Sequence, residues 1–277
     1  MSVIVKIRHA LCPIQGEVWC LHRVVEERSL YPSNRELEIT PDYLEELILK
    51  YKEAGFEFVS LDEIVEDAQR HLWDLRKKKR VNVSFDDGFR DVYDWAFPIL
   101  KKYQVPFTVY LIGSFPEGKC DLWWIQMEQF FKEIADFEAC MKKLYQSESN
   151  MCELMHSLTK SEADFVLCRQ LALTWEQLHE MVESGWCTVG SHSMTHPGLT
   201  RVPLEVARWE LEESKRLIEE HLPIKVRHLS YPHSMCNLEI EEMVKALGFE
   251  SATMGYGGNI RKKDNPFHLY RHYIVQA

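Results

Sequence analysis

"VNVSFDDGFRDVYDWAFPILKKYQVPFTVYLIG", residues 81–113, holds a complete strand–helix–strand unit. The apolar run 81–85 reads as a buried strand, 91–104 as a helix and 107–113 as the next strand. The first strand ends on two adjacent carboxylates, Asp86 and Asp87, with Gly88 behind them. Neighbouring side chains of a strand point to opposite faces. At a strand end that alternation breaks, and two acids can converge. Like charges that close are costly unless a cation or a shared proton compensates. The stretch therefore asks for a metal ion or for an acid–base pair. A third reading stays open, in which Asp87 caps the helix starting near Asp91 and Gly88 eases the turn.

The same rhythm runs outward in both directions. Upstream, 17–22 reads as a strand and 40–55 as a helix, with Thr40 as N-cap, Pro41 as first helical residue and Gly55 as the stop. A strand at 56–60 and a helix at 61–72 follow. Downstream come a helix at 174–185 opened by a Thr174–Gln177 capping box, a strand at 186–192, and a helix at 203–222. A strand at 226–232, a helix at 237–248 and strands at 249–254 and 267–275 complete the pattern. Alternating β and α units imply a mainly parallel sheet with helices outside, open or closed into a barrel. In either form sites collect at the carboxyl ends of strands. Asp86, Asp87, His192 and His196 all fall at such ends. Residues 115–173 break the rhythm with several helical patterns and no strand. The chain reads as one domain over 1–277 carrying a helical insertion on its working face.

With 45% hydrophobic and 27% charged residues the chain is globular. Its net charge of −10 argues against a nucleic-acid surface, which needs a basic patch. The basic run 76–80 reads as a solvated loop. The eight cysteines form no CxxC pair and several sit among apolar residues, the usage of a reduced, cytosolic chain. The first 19 residues hold no apolar stretch of signal-peptide length, and no run approaches the roughly 20 apolar residues of a membrane span. The expectation is a cytoplasmic protein without a transmembrane segment, with docking on the inner membrane face left open.

"TVGSHSMTHPGL", residues 188–199, adds His192 and His196. Gly190, Pro197 and Gly198 argue for a tight loop after a strand rather than a helix. Two histidines with one carboxylate form a common catalytic metal triad that leaves positions open for water.

Three stretches carry a family resemblance. "SFDDG" (84–88) and "SHSMTH" (191–196) resemble the first two motifs of the polysaccharide deacetylases, carbohydrate esterase family four, and "LSYPHS" (229–234) is similar to their third. The tail "GFESATMGYGGN…NPFHLYRHYIV" and "LHRV" (21–24) extend the likeness along the chain. The resemblance implies a distorted (β/α) barrel of mainly parallel strands. It implies a metal-dependent hydrolase that removes N-acetyl groups from amino sugars of a glycan or glycan precursor, cleaving C–N bonds other than peptide bonds. Asp87, His192 and His196 would hold a divalent ion, most often zinc. Asp86 would be the general base, and the backbone N–H of Tyr231 would stabilise the oxyanion.

Two departures accompany the likeness. The tail lacks the Leu-x-His in which many members place the general acid. "CLHRV" looks like a circularly permuted branch with an N-terminal acid, which assigns His22, with His272 and His268 as fallbacks. The third motif has Ser230 where an arginine often orients the base, and Arg271 on the last strand is the replacement. Trp123 and Trp124 could stack on sugar rings or pack the insertion. Tyr231 and Pro232 belong to the same substrate-binding turn, and His233 either touches substrate or shapes it. Arg23 reads as an ion-pair partner. His9, His71, His156, His179, His221 and His228 have no evident partner.

Two other functions compete with N-deacetylation. An O-acetyl esterase or a non-sugar amidase would use the same metal site. A non-catalytic sugar-binding module would need none of the four acids and histidines.

Overall fold

The computed structural model describes residues 14–69, 79–261 and 264–277. His9, Cys12, His71 and residues 76–78 of the basic run lie outside them. The strands are β1 (Ile14–Leu21), β2 (Arg23–Val24), β3 (Glu38–Ile39), β4 (Glu57–Phe58), β5 (Arg80–Phe85), β6 (Phe107–Leu111), β7 (Cys187–Ser191), β8 (His228–Ser230), β9 (Ser251–Gly257), β10 (Ile260–Arg261) and β11 (Leu269–Tyr273). The sheet runs β1-β11-β9-β8-β7-β6-β5 and closes by a parallel β1–β5 pairing, from Gly16 opposite Arg80 to Leu21 opposite Phe85. The result is a closed, seven-stranded parallel barrel with helices around it, the distorted (β/α) barrel expected. β4 extends the sheet beside β5, and β10 pairs antiparallel with β1.

The helices begin and end where their residues require. Thr40 accepts from the Tyr43 N–H at the start of Pro41–Glu53, and the Thr174–Gln177 capping box opens Trp175–Glu183. The expected helix 91–104 is shorter and split, a π-helical turn over Val92–Ala96 running into Phe97–Lys102. Pro98 explains the break, since it has no N–H to continue the ladder. Within 115–173 the helical segments are Trp123–Gln126, Met127–Gln129, Ile134–Gln146, Met151–Thr159 and Phe165–Leu171. Among the described residues no helix is long and apolar enough to cross a membrane.

The two faces of β5 explain how the barrel prepares a site. Val81, Val83 and Phe85 join the main apolar core, which contains helix residues such as Leu44, Ile48, Leu100 and Leu211. Asn82 and Ser84 point the other way, into the barrel. There Asn82 accepts from the Thr108 hydroxyl at 3.2 Å and Ser84 accepts from Arg271 at 3.0 Å. Asp86 continues that inner row by period-two alternation.

Candidate active site and metal centre

Asp87 breaks the alternation, and its backbone shows how. Its φ is 71°, in the left-handed region that Asp tolerates better than most residues. Gly88 follows at φ 97°, where a Cβ would lie 2.4 Å from the Leu111 side chain, so no larger residue fits. This double turn brings the Asp87 carboxylate beside that of Asp86 instead of across the strand. Asp87 caps no helix: its Oδ1 is buried without a hydrogen-bond partner.

The histidines come from the loop after β7. His192 Nδ1 lies 2.8 Å from the Ser230 carbonyl oxygen, so it donates there and leaves the lone pair on Nε2. That Nε2 is 3.6 Å from Asp87 Oδ1 and 3.2 Å from His196 Nε2, and His196 Nε2 is 3.6 Å from the same Oδ1. Ligands 2.0–2.1 Å from a tetrahedral zinc ion are about 3.3–3.4 Å apart. The three atoms thus have the spacing of three corners around one ion, and an orphaned buried carboxylate oxygen asks for a cation. The donor set and its geometry fit a divalent metal.

The loop is held by a residue that sequence reasoning missed. Glu210, buried on the helix Leu204–His221, accepts from the Met194 N–H at 2.8 Å and the Thr195 N–H at 2.7 Å. It also takes the Thr195 hydroxyl. Ser193 Oγ accepts from the His196 N–H at 3.0 Å. Ser193 and His196 both have positive φ, 63° and 64°, and these contacts hold the loop against that cost. Among the many charges of its helix, Glu210 looks like solvated surface in the sequence; only the packing reveals what it holds.

Asp86 is gripped rather than free. Arg271 meets it through Nη1–Oδ1 at 2.7 Å and Nη2–Oδ2 at 2.6 Å, and Ser230 Oγ is 3.2 Å from Oδ2. Arg271 is buried and donates further to Ser230 Oγ and the Met254 carbonyl. Burial pushes the Asp86 carboxyl up, but Arg271 and the neighbouring histidines outweigh it and hold it well below the usual range. Arg271 therefore stands where orientation of Asp86 requires it.

His22 follows β1 and lines the same cavity, of about 430 Å³, with Asp86, Asp87, His192 and His196. A ring nitrogen of His22, the Cys20 Sγ and an Asp86 oxygen lie within 4.8 Å of one another. Burial lowers the His22 pKa to about 4, with Arg271 and His192 adding to the fall and Asp86 opposing it. The fallback histidines do not line the cavity. His272 Nε2 sits 2.6 Å from Asn259 Oδ1, and His268 packs edge-on against Tyr270.

Three expectations for the substrate turn need correction. The Tyr231 N–H is already donated to the Thr253 carbonyl at 3.1 Å, because the β8–β9 ladder runs one residue past β8. It is not free for an oxyanion; the ring instead walls the cavity, its hydroxyl on the Phe267 carbonyl. Pro232 is buried in the next turn and does not line the cavity. Both tryptophans pack in the core of the insertion, but only Trp124 lines this cavity, its ring 4.9 Å from that of His196; Trp123 lines the neighbouring cavity that His196 and His233 share. Arg23 is an ion-pair partner, of Asp91 at 2.9 Å and Glu38 at 3.0 Å. Tyr145 and His233, one from the insertion and one at φ 54° in the turn, complete the wall.

A family model described as polysaccharide deacetylase matches residues 75–252, more than half of the chain. The chain belongs to the polysaccharide deacetylase family. It is 22% identical over 246 residues to the poly-beta-1,6-N-acetyl-D-glucosamine N-deacetylase of Staphylococcus epidermidis, covering 85% of this chain and 66% of that one. It is 22% identical over 194 residues to Bacillus subtilis YxkH, covering 70% and 51%. The chain thus spans between half and two thirds of these relatives. Among solved structures, the Streptococcus pyogenes deacetylase PplD with acetate aligns at TM-score 0.69 and 21% identity, over 94% of this chain and 92% of that one. IcaB from Ammonifex degensii aligns at 0.66 and 21%, over 95% and 93%. At these identities the two structures show a shared fold. For this polysaccharide deacetylase family member, all four motif acids and histidines meet at one barrel mouth.

Proposed function

We propose that this family member is a divalent-metal-dependent hydrolase that removes N-acetyl groups from amino sugars of a glycan or glycan precursor. The observation that carries the reading is the Asp87–His192–His196 cluster, with Asp86 clamped by Arg271 beside it in one cavity. The Staphylococcus epidermidis relative, a poly-beta-1,6-N-acetyl-D-glucosamine N-deacetylase, supports the substrate class.

A cation held by Asp87, His192 and His196 would supply Lewis acidity toward the acetyl carbonyl and toward a water. The chain's own residues handle protons and position. Asp86, ionised and oriented by Arg271 and Ser230, accepts a proton from the attacking water. The O–H that remains adds to the acyl carbon, the C–N bond breaks, and the leaving amine must gain a proton. His22 rests as a neutral imidazole at neutral pH, so it is not preloaded as an acid. Its place beside Asp86 suits it to carry the water's proton to the amine, which closes the proton balance. Trp124 and Tyr145 wall the space a pyranose ring would fill, and an aromatic face suits its apolar side.

Acetate release from matched N-acetylated and O-acetylated oligosaccharides, with metal-replete protein, tests the reading. N-deacetylation as the faster reaction is expected. Release from O-acetyl substrates alone would make the chain an esterase, and release from neither would favour a binding module.

A further inference from the structure

The helical insertion carries a second group of ligand-type side chains, separate from the barrel mouth. Asp121 lies in the segment after β6, and Cys152 and His156 are four apart on the helix Met151–Thr159, hence on one face. Cys152 Sγ is 2.8 Å from Asp121 Oδ2, and His156 Nε2 is 2.6 Å from the same oxygen. All three ligand atoms lie within 4.8 Å of one another, and all three residues are partly exposed. Asp121 Oδ1 is buried with no hydrogen-bond partner. Among the described residues no lysine or arginine pairs with Asp121. A cavity of about 280 Å³ opens onto Asp121, Cys152, Asn150 and Glu153 and is also lined by His196 and His233.

We propose that Asp121, Cys152 and His156 form a second divalent-metal site, of zinc class, in the insertion. Thiolate, imidazole and carboxylate together suit zinc or cobalt better than the hard cations calcium and magnesium. Three protein ligands leave a position for water from the cavity. The His156 Nε2–Asp121 Oδ2 contact of 2.6 Å is a hydrogen-bond length, as expected while a proton lies between the two. On binding, the Cys152 S–H bond breaks and its proton goes to solvent. The imidazole proton leaves Nε2 and settles on Nδ1, where Ser161 Oγ waits at 2.8 Å as acceptor. That outer contact fixes the tautomer a metal needs.

A nucleophilic-cysteine reading fits the geometry less well. The thiol donates to Asp121 and makes no hydrogen bond to His156, whose Nε2 is itself engaged with Asp121, so the imidazole is not placed as its base. Burial, reinforced by Asp121, pushes the thiol up and away from thiolate at neutral pH. A metal overcomes that by binding the thiolate directly.

Cobalt(II) titration of the metal-stripped full chain tests the site, because a cobalt–thiolate bond gives a near-ultraviolet charge-transfer band that histidine and carboxylate ligands do not. Wild type should take up two equivalents and show the band. Cys152→Ala should lose the band and one equivalent, as should Cys152→Ser. A double substitution, Asp87→Asn with His192→Ala, should lose the other equivalent and keep the band, which separates this site from the catalytic one. Cys20→Ala should also keep the band, because Cys20 belongs to the barrel mouth. Wild type without a thiolate band, or a band that survives Cys152→Ala, would overturn the proposal. The wild-type titration decides it even if a variant does not fold.

Discussion

Arg271 and Asp86, 185 residues apart and with only β1 between their strands, meet inside the barrel through two parallel contacts of 2.6 and 2.7 Å, both side chains buried. A planar guanidinium is the one side chain that can grip both carboxylate oxygens in this way. Removing one partner strands the other charge in the interior. Arg271→Met should therefore cost about 3–5 kcal/mol of stability, read by denaturant unfolding, and should abolish activity. Arg271→Lys should fold better yet remain poorly active, because an ammonium cannot fix the carboxylate plane. Equal stability of Arg271→Met and wild type would show that the pair holds nothing in place.

The acid assignment separates two histidines by position. His22→Ala should keep its metal, lose most amide hydrolysis and retain much of its turnover of an activated acetyl ester, whose leaving group needs little protonation. His272→Ala, whose ring is engaged with Asn259, should be the milder variant on amides. Steady-state rates on both substrates decide this. Near-wild-type amide turnover by His22→Ala, with loss in His272→Ala, would move the acid to the last strand.

The two adjacent tryptophans should behave differently. Trp124→Ala removes a cavity wall that touches His196, so KM should rise and metal affinity should fall. Trp123→Ala empties the insertion core and should cost about 3–5 kcal/mol, with KM close to wild type at a temperature where the variant is folded. Thermal unfolding and KM, measured together, distinguish the two.

Asp62 is one source of acid stability away from the site. Asp62 accepts from His228 at 2.8 Å and pairs with Arg227 at 2.5 Å. Burial raises its carboxyl, but these partners outweigh that and leave it lowered. A depressed carboxylate contributes stability above the unfolded value, about 3.9, and loses it as pH falls through the folded value. Asp62→Asn should thus flatten the acid limb of the stability curve below about pH 4. An unchanged limb would remove Asp62 from that account.

Much of this was legible because local chemistry wrote it. Thr40 and Thr174 mark helix starts by capping, and the β/α rhythm announces parallel strands with sites at their carboxyl ends. Asp86, Asp87, His192 and His196 could be picked out because an acid pair and a histidine pair, each open to a bland reading alone, fall together at strand ends of one β/α frame. Barrel closure was not legible: the β1–β5 pairing depends on strand tilt and shear, which no short pattern encodes. The Tyr231 amide was misread for a related reason, since a ladder bond one residue past a strand end is settled by the neighbouring strand. Trp123 and Trp124 are indistinguishable as letters, and only the turn of a short helix decides which ring meets the cavity. Glu210 and His156 found their partners across the fold, at separations that sequence spacing does not reveal.

The division of labour between Asp86 and Asp87 is the core of the account. Its most direct test is metal content and N-deacetylase rate measured side by side for Asp86→Asn and Asp87→Asn. Asp86→Asn should retain barrel-mouth metal and lose about 10²–10⁴-fold in rate, the usual worth of general base catalysis. Asp87→Asn should lose the metal along with the activity. Equal metal loss in both variants, or an active Asp87→Asn without barrel-mouth metal, would contradict it.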